Sequence, residues 1–268
     1  MAPNRILAAN LLLIRELERL AERLGETPVM VLKGGALLLS GCRGFEDRPM
    51  EDLDLLVEPR CRREVVNALE AMGYQKFAGD PGQYRRDGLA FDLHDDLWYL
   101  DDEEHKAVWR RSRSVDGGEA CLRLPSPQDL LIHVLAHAAV HHGAVEPKWA
   151  EDVAALAERH ARELDLEDLR RELKRLGLLP AVLWFLRRAG LSLWTETRGQ
   201  GHILRFVYLR DWRFRLRYLG RTLFPSADFI AGRYDARSRW GVLAWRVLRP
   251  LLLLGRLLEP PADRRRGP

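Results

Sequence analysis

Residues 32–57 read LKGGALLLSGCRGFEDRPMEDLDLLV, and this stretch decides the fold. It opens at the end of an apolar run, Pro28 to Leu32, with the length and composition of a buried strand. Lys33-Gly34-Gly35 follows, and residues 36–39 start a helix. A second apolar run, Leu53 to Val57, is interrupted by Asp54, and Asp52 stands just before it. Side chains alternate along a strand, so residues i and i+2 share a face. Asp52 and Asp54 are therefore expected to project together while Leu53 and Leu55 turn into the core. Two neighbouring carboxylates repel unless a cation lies between them. Hard oxygen ligands at this spacing suit Mg2+, bound together with substrate phosphates. The glycine pair leaves backbone N–H groups at a helix N-terminus, where a triphosphate can be cradled.

Working outward, residues 4–24 have the periodicity of an amphipathic helix, with Ile6, Leu13, Leu17, Leu20 and Leu24 near one face and Gly25 as its stop. Pro59 opens a helix that runs to Met72 and is capped by Gly73. Residues 74–78 and 83–94 read as strands, with Asp87-Gly88 as a hairpin turn. A further hairpin is expected over 113–124, turning at Gly117-Gly118. On the 83–94 strand, Asp92 and His94 share one face. Beside the Asp52/Asp54 strand, Asp92 would complete a carboxylate triad able to hold two metal ions, and it would be the natural general base.

From Ser126-Pro127-Gln128-Asp129, a helix start, only helical patterns follow: 127–142, 148–162, 166–176, 179–189, 201–220 and 240–258. The expected fold class is α+β. Residues 1–125 form a catalytic domain with a small mixed β-sheet flanked by helices. Residues 126–260 form an all-α bundle, and 261–268 a disordered tail.

The segment resembles the nucleotidyltransferase superfamily typified by DNA polymerase β, in which a Gly-Gly or Gly-Ser precedes an Asp-x-Asp/Glu strand and a third Asp follows later. More narrowly it is similar to a bacterial family of uncharacterised nucleotidyltransferases, on Lys33-Gly34, Arg48-Pro49, Asp52-x-Asp54 and Asp92-x-His94. His133, His137, His141, Trp149 and Asp152 in the following helices, and Phe224-Pro225-Ser226, fit the same family. The Lys33-Gly34-Gly35 version also resembles the nucleotidyltransferase toxins of abortive-infection systems, whose later Lys and Asp would correspond to Lys148 and Asp152. The gap from Gly35 to Asp52 is longer than is usual in the superfamily. The resemblance implies transfer of a nucleoside monophosphate from an NTP to an acceptor hydroxyl, with release of pyrophosphate. Asp52, Asp54 and Asp92 would be catalytic and hold two Mg2+ ions. Lys33, Gly34, Gly35, Arg48, His94 and Asp152 would bind the nucleotide. Two alternatives stand beside this reading: a toxin-like enzyme modifying tRNA, and a catalytically silent nucleotide-binding protein of the same fold.

Several of these residues have a plainer reading. Lys33 fits either a phosphate ligand or a surface lysine at a strand end. Arg48 fits a triphosphate clamp or a partner for Glu46 or Glu51, and His94 a site residue or the filling of a polar pocket. His133, His137 and His141 fall on one helical face, a spacing that can bind zinc. Without an H-E-x-x-H arrangement, packing towards the cleft is the commoner outcome.

The 268 residues are 47% hydrophobic and 31% charged, a soluble globular balance with enough chain for a sizeable core. The net charge of +4 conceals an asymmetry: residues 198–268 carry 16 Arg, no Lys and 5 acidic groups, while residues 1–197 sum to −7. The basic third fits an acidic or nucleic-acid partner, an anionic membrane surface, or the acidic N-terminal part of the same chain. The stretch from Arg210 to Arg217 interleaves Arg with aromatics, as RNA binding or an exposed helix face would. Residues 251–259, LLLLGRLLE, are too short and too charged to span a bilayer, and suit core packing or a membrane surface. No signal peptide is read at the N-terminus. Cys42, Cys61 and Cys121 have neither metal-ligand spacing nor a disulfide framework, so a reducing cytoplasm is the expected location.

Overall fold

The computed structural model describes residues 3–115, 121–143, 145–194, 238 and 240–248. The chain divides into two compact units, Met1–Phe77 with Gly82–Arg210 and Ala78–Pro81 with Asp211–Pro268. The elements named below belong to the first. In chain order they are α1 (Pro3–Leu24), β1 (Val29–Val31), α2 (Lys33–Leu39), β2 (Leu53–Val57), α3 (Arg62–Ala71), β3 (Gln75–Lys76), β4 (Gln83–Arg86), β5 (Leu89–His94), α4 (Asp102–Arg111), β6 (Arg113–Ser114), β7 (Leu122–Leu124) and α5 (Pro127–Ala136). A π-helical turn (His137–His142) continues α5, and α6 (Pro147–Arg159), α7 (Leu166–Arg175) and α8 (Leu179–Ala189) follow.

Seven strands form one mixed sheet in the order β3-β4-β5-β2-β1-β7-β6. The two central strands, β1 and β2, run antiparallel to each other, and each has a parallel neighbour on its other side: β7 beside β1, β5 beside β2. Every residue of β1 and β2 is buried, which is why both read as apolar runs rather than alternating strands, broken only by Asp54 in β2. The β4–β5 hairpin turns where expected. Asp87 and Gly88 both take positive φ, +50° and +82°, the requirement of the tight turn that matches strand twist.

One contiguous core joins the sheet to the helices on either side of Ser126. It includes Leu17 and Leu20 of α1, Leu37 of α2, Leu53 and Leu55 of β2, Phe91 of β5, Leu131 and Leu135 of α5, Val153 of α6 and Phe185 of α8. Ser126 caps α5 by accepting from the Asp129 N–H, with Pro127 in the first turn. Helix α4 stands where the sequence reading assigned nothing. It is set by a capping box in which Asp101 accepts from the Glu104 N–H and Glu104 reaches back to the Asp101 N–H.

The expected helix over 201–220, Phe224-Pro225-Ser226, the stretch from Arg210 to Arg217, the turn at Gly117-Gly118 and the tail lie outside the described residues. Of the helix expected over 240–258, residues 240–248 are described and helical. Among the described residues, no helix is long and apolar enough to cross a membrane.

Gly35 sits where α2 presses on the sheet. A Cβ there would lie 2.7 Å from Val31 Cγ1 and 2.8 Å from Leu53 Cδ2. Both neighbours are in the two central strands and have no room to retreat. Gly35→Ala is expected to cost about 1–3 kcal/mol, read as a lower urea midpoint at unchanged slope. Gly34→Ala is expected to cost less, because its Cβ would meet Met50 Sδ at 3.0 Å and a thioether chain can move.

Candidate active site

The site is built on the parallel pair β2 and β5. Their register sets Asp54 opposite Asp92, with Leu55 opposite Leu93 and Leu56 opposite His94. Two carboxylates thus stand abreast on neighbouring strands, and His94 lies two residues along from Asp92 on the same face. The His94 ring closes the group: its Nε2 is 2.8 Å from Asp54 Oδ1 and 3.3 Å from Asp92 Oδ2. One ligand atom from each of Asp54, Asp92 and His94 falls within 4.8 Å of the others. Asp52 immediately precedes β2 and is half-buried at its mouth. It lies outside that tightest set yet shares the field of Asp54 and Asp92.

Lys33 opens α2 in the left-handed region at φ +46°, a conformation costly for any residue with a Cβ and concentrated at functional sites. Its Nζ donates to Asp54 Oδ1 at 2.5 Å. Asp54 is therefore buried with a cation and an imidazole on one oxygen. Burial alone would raise its pKa, but Lys33 and His94 together outweigh burial and hold the carboxyl well below the usual carboxylate range. Asp52 has the opposite balance. Burial, then the negative charge of Asp54, pushes it up to about 6, against the pull of Lys33. His94 is raised: burial works against its charged form, but the hydrogen bond to Asp54 and the charges of Asp54 and Asp92 win.

Gly34 and Gly35 lie in the first turn of α2, whose N–H groups have no intrahelical acceptor. The Arg48 guanidinium borders this turn, with Cζ 3.6 Å from the Cβ position of Gly34. Its partner is neither Glu46 nor Glu51 but Asp152 of α6: Arg48 Nε donates to Asp152 Oδ1 and Oδ2 at 3.0 and 2.9 Å. Arg43 adds a bond to Asp152 Oδ1 at 3.1 Å. The structure thus joins Arg48 and Asp152 to each other beside Gly34, and Lys33, Asp54, Asp92 and His94 in a separate cluster.

The arrangement is a cation-ready carboxylate pair next to a glycine turn and two basic groups. A protein-family model described as "Uncharacterised nucleotidyltransferase" matches residues 3–193. The chain belongs to that family. Nucleotidyl transfer is accordingly the activity class that goes with the family. No curated protein matches the chain. Among solved structures, the crystal structure of JHP933 from Helicobacter pylori is similar at 12% identity, covering 92% of this chain and 97% of that one, with a TM-score of 0.41.

Two contributors to this candidate site were not evident from the sequence. Asn10 is fully buried. It donates from Nδ2 to the carbonyls of Phe45 and Arg48 at 2.7 and 2.8 Å, and accepts from the Met50 N–H at 3.3 Å. One amide on α1 thus fixes the loop that delivers Asp52. The available signal was an Asn on the buried stripe of α1, three and seven residues before Leu13 and Leu17. Asn10→Ala leaves two loop carbonyls without their donor and is expected to cost about 1–3 kcal/mol, measured by chemical denaturation. Arg43 was the other, marked by no local pattern.

The histidines of α5 do not continue a plain helix. His137–His142 forms a π-helical turn ended by Gly143 at φ +60°. A π turn bonds i to i+5 and so gathers His137, His141 and His142 on one side. His137 and His141 stack at 5.2 Å with planes 10° apart, and His142 stacks on Trp149 at 4.5 Å. His133 is buried and meets the Tyr99 hydroxyl through Nδ1 at 3.3 Å. Burial, then the nearby Lys33 charge, pulls His133 down to about 3.

Proposed function

We propose that this chain transfers a nucleoside monophosphate from an NTP to an acceptor hydroxyl with release of pyrophosphate, in a reaction that depends on a divalent cation of the Mg2+ type. The observation that carries the reading is the pairing of Asp54 with Asp92 across β2 and β5, closed by His94 within 4.8 Å. The donor chemistry fits such an ion. Two carboxylates offer hard oxygens, and the Lys33 ammonium already stands on Asp54 Oδ1, where positive charge is needed. A cation bound there supplies neutralisation of the charge that builds on the phosphates and the leaving pyrophosphate.

The chain's own residues do the rest. Asp54 and Asp92 would hold the ion, with Asp52 beside them at the mouth of β2. Lys33 keeps Asp54 ionised before the substrate arrives and then turns its ammonium to the phosphates. The first-turn N–H groups of Gly34 and Gly35 and the edge of Arg48 receive the triphosphate, while Asp152 keeps Arg48 in place. Asp92 accepts the proton of the attacking hydroxyl. Catalysis of this kind is positioning plus electrostatics.

The test is a pair of labels. NTP labelled at the α-phosphate is expected to mark the acceptor, and NTP labelled at the γ-phosphate to release its label as pyrophosphate, both abolished by EDTA. Arms with tRNA, cell lysate and small-molecule hydroxyl compounds identify the acceptor. Label from the γ-phosphate on the acceptor would contradict nucleotidyl transfer.

A further inference from the structure

Beyond the phosphate chemistry lies a wall of rings that the reaction leaves unused. His141 and His142 are exposed, while Trp149, behind His142, is 5% exposed. His142 lies on Trp149 at 4.5 Å with planes 25° apart, and His137 is edge-on to His142 at 4.4 Å. His142 Nε2 and His137 Nε2 are 2.9 Å apart. One of these nitrogens must donate and the other accept, so the two rings cannot both be protonated. The pair therefore carries at most one positive charge, and the Lys148 ammonium lies at its rim, with Nζ 5.3 Å from the Trp149 ring.

Its place in the fold matters as much as its chemistry. Trp149 is three residues before Asp152 on α6. Asp152 holds Arg48, and Arg48 borders Gly34. From the other side, the ring series runs from Tyr99 through His133 to His137 in steps of 6.1 and 6.4 Å. His133 is 5% exposed, and no described residue bonds its Nε2. A ring face, that of His142 on Trp149, thus lies within one helical turn of the group that flanks the phosphate side, with the His141 ring edge-on to it at 77°.

We propose that the exposed ring of His142, backed by Trp149 and flanked edge-on by His141, is the seat of a nucleobase. This rests on the nucleotidyltransferase reading and adds a base-binding subsite to it. Every base has a π face, so such a seat tolerates different bases while requiring one. The base belongs either to the donor NTP or to a nucleotide acceptor, and the two sources separate experimentally.

Binding is measured calorimetrically with Mg2+ for ATP, GTP, CTP, UTP and tripolyphosphate, and for a single-stranded oligonucleotide with and without one abasic position. Wild type is compared with His142→Ala and His142→Phe. Loss of one stacked base corresponds to roughly 5- to 150-fold weaker binding. His142→Ala is expected to weaken either the NTPs or the intact oligonucleotide by that factor and to leave tripolyphosphate or the abasic strand unchanged. His142→Phe is expected to restore binding, because it restores the ring. NTP loss assigns the donor base; oligonucleotide loss assigns the acceptor base. Equal loss for tripolyphosphate, or no loss in either arm, overturns the subsite. If α-label transfer still depends on Asp54 while His142→Ala changes nothing, the subsite alone is wrong. If wild type binds neither NTP nor oligonucleotide, both readings are wrong.

Discussion

Asp54→Asn is expected to lower nucleotidyl transfer by about 100- to 1,000-fold while leaving the protein folded. The substitution keeps the shape of a buried side chain and removes its charge. Asp54 is 6% exposed, and one of its oxygens takes both Lys33 and His94. An uncharged amide there is a much weaker ligand for a cation and holds the ammonium of Lys33, which is 18% exposed, less tightly. Two neighbours report the change without any substrate. The Asp52 carboxyl, held near 6 by burial and then by the charge of Asp54, is expected to fall. The His94 imidazole, raised by Asp54 against the effect of burial, is expected to fall too. Both are read by NMR titration, alongside kcat/KM for transfer and the thermal midpoint. Unchanged transfer in the variant would place the chemistry elsewhere.

Asp152→Ala is expected to be the most destabilising single change in the described site, at about 3–5 kcal/mol. Asp152 is 1% exposed and receives Arg48 and Arg43. Truncation leaves the buried Arg48 guanidinium, itself 9% exposed, with only the Pro49 carbonyl among these acceptors. The partner left behind, rather than the bond lost, sets the size of the effect. Removing both charges together, as in Arg48→Met with Asp152→Leu, is expected to cost less than Asp152→Ala alone. For a chain of this size each kcal/mol moves the midpoint by about 2–4 °C, so the single variant should melt roughly 6–20 °C lower. Glu151→Ala serves as the control, because that side chain is 59% exposed in its bridge to Arg43 and surface pairs contribute about 0–1 kcal/mol. Equal shifts in the two variants would contradict a buried anchor.

The elements that were legible in sequence are those with a strong period or a strong stop. Helix α1 shows its stripe and Gly25; β1 and β2 show apolar runs bounded by turn residues; the β4–β5 hairpin shows Asp87-Gly88. Helix α4 went unread because Val108 is its one buried residue, so its hydrophobic period is faint. The Asp101-x-x-Glu104 capping box was the signal present. Within the site, alternation assigns Asp52 with Asp54 and Asp92 with His94 to shared faces. Which strands lie side by side, and in which register, depends on the whole sheet. The Asp54–Asp92 pairing spans 38 positions and the Arg48–Asp152 pair 104, separations that no local pattern encodes. The π turn is equally silent in sequence, since a run of helix-compatible residues does not announce a change from i+4 to i+5 bonding. For the same reason, three histidines at a spacing of four suggested one ladder, and His142, the ring that stacks on Trp149, stood outside it.

The pairing of Asp54 with Asp92 as a cation centre is tested most directly by Mn2+ binding, followed by electron paramagnetic resonance in the presence of a non-hydrolysable NTP. The pairing predicts tight NTP-linked binding in the wild type, lost in both Asp54→Asn and Asp92→Asn. Mn2+ titrations that superimpose for all three proteins would contradict it.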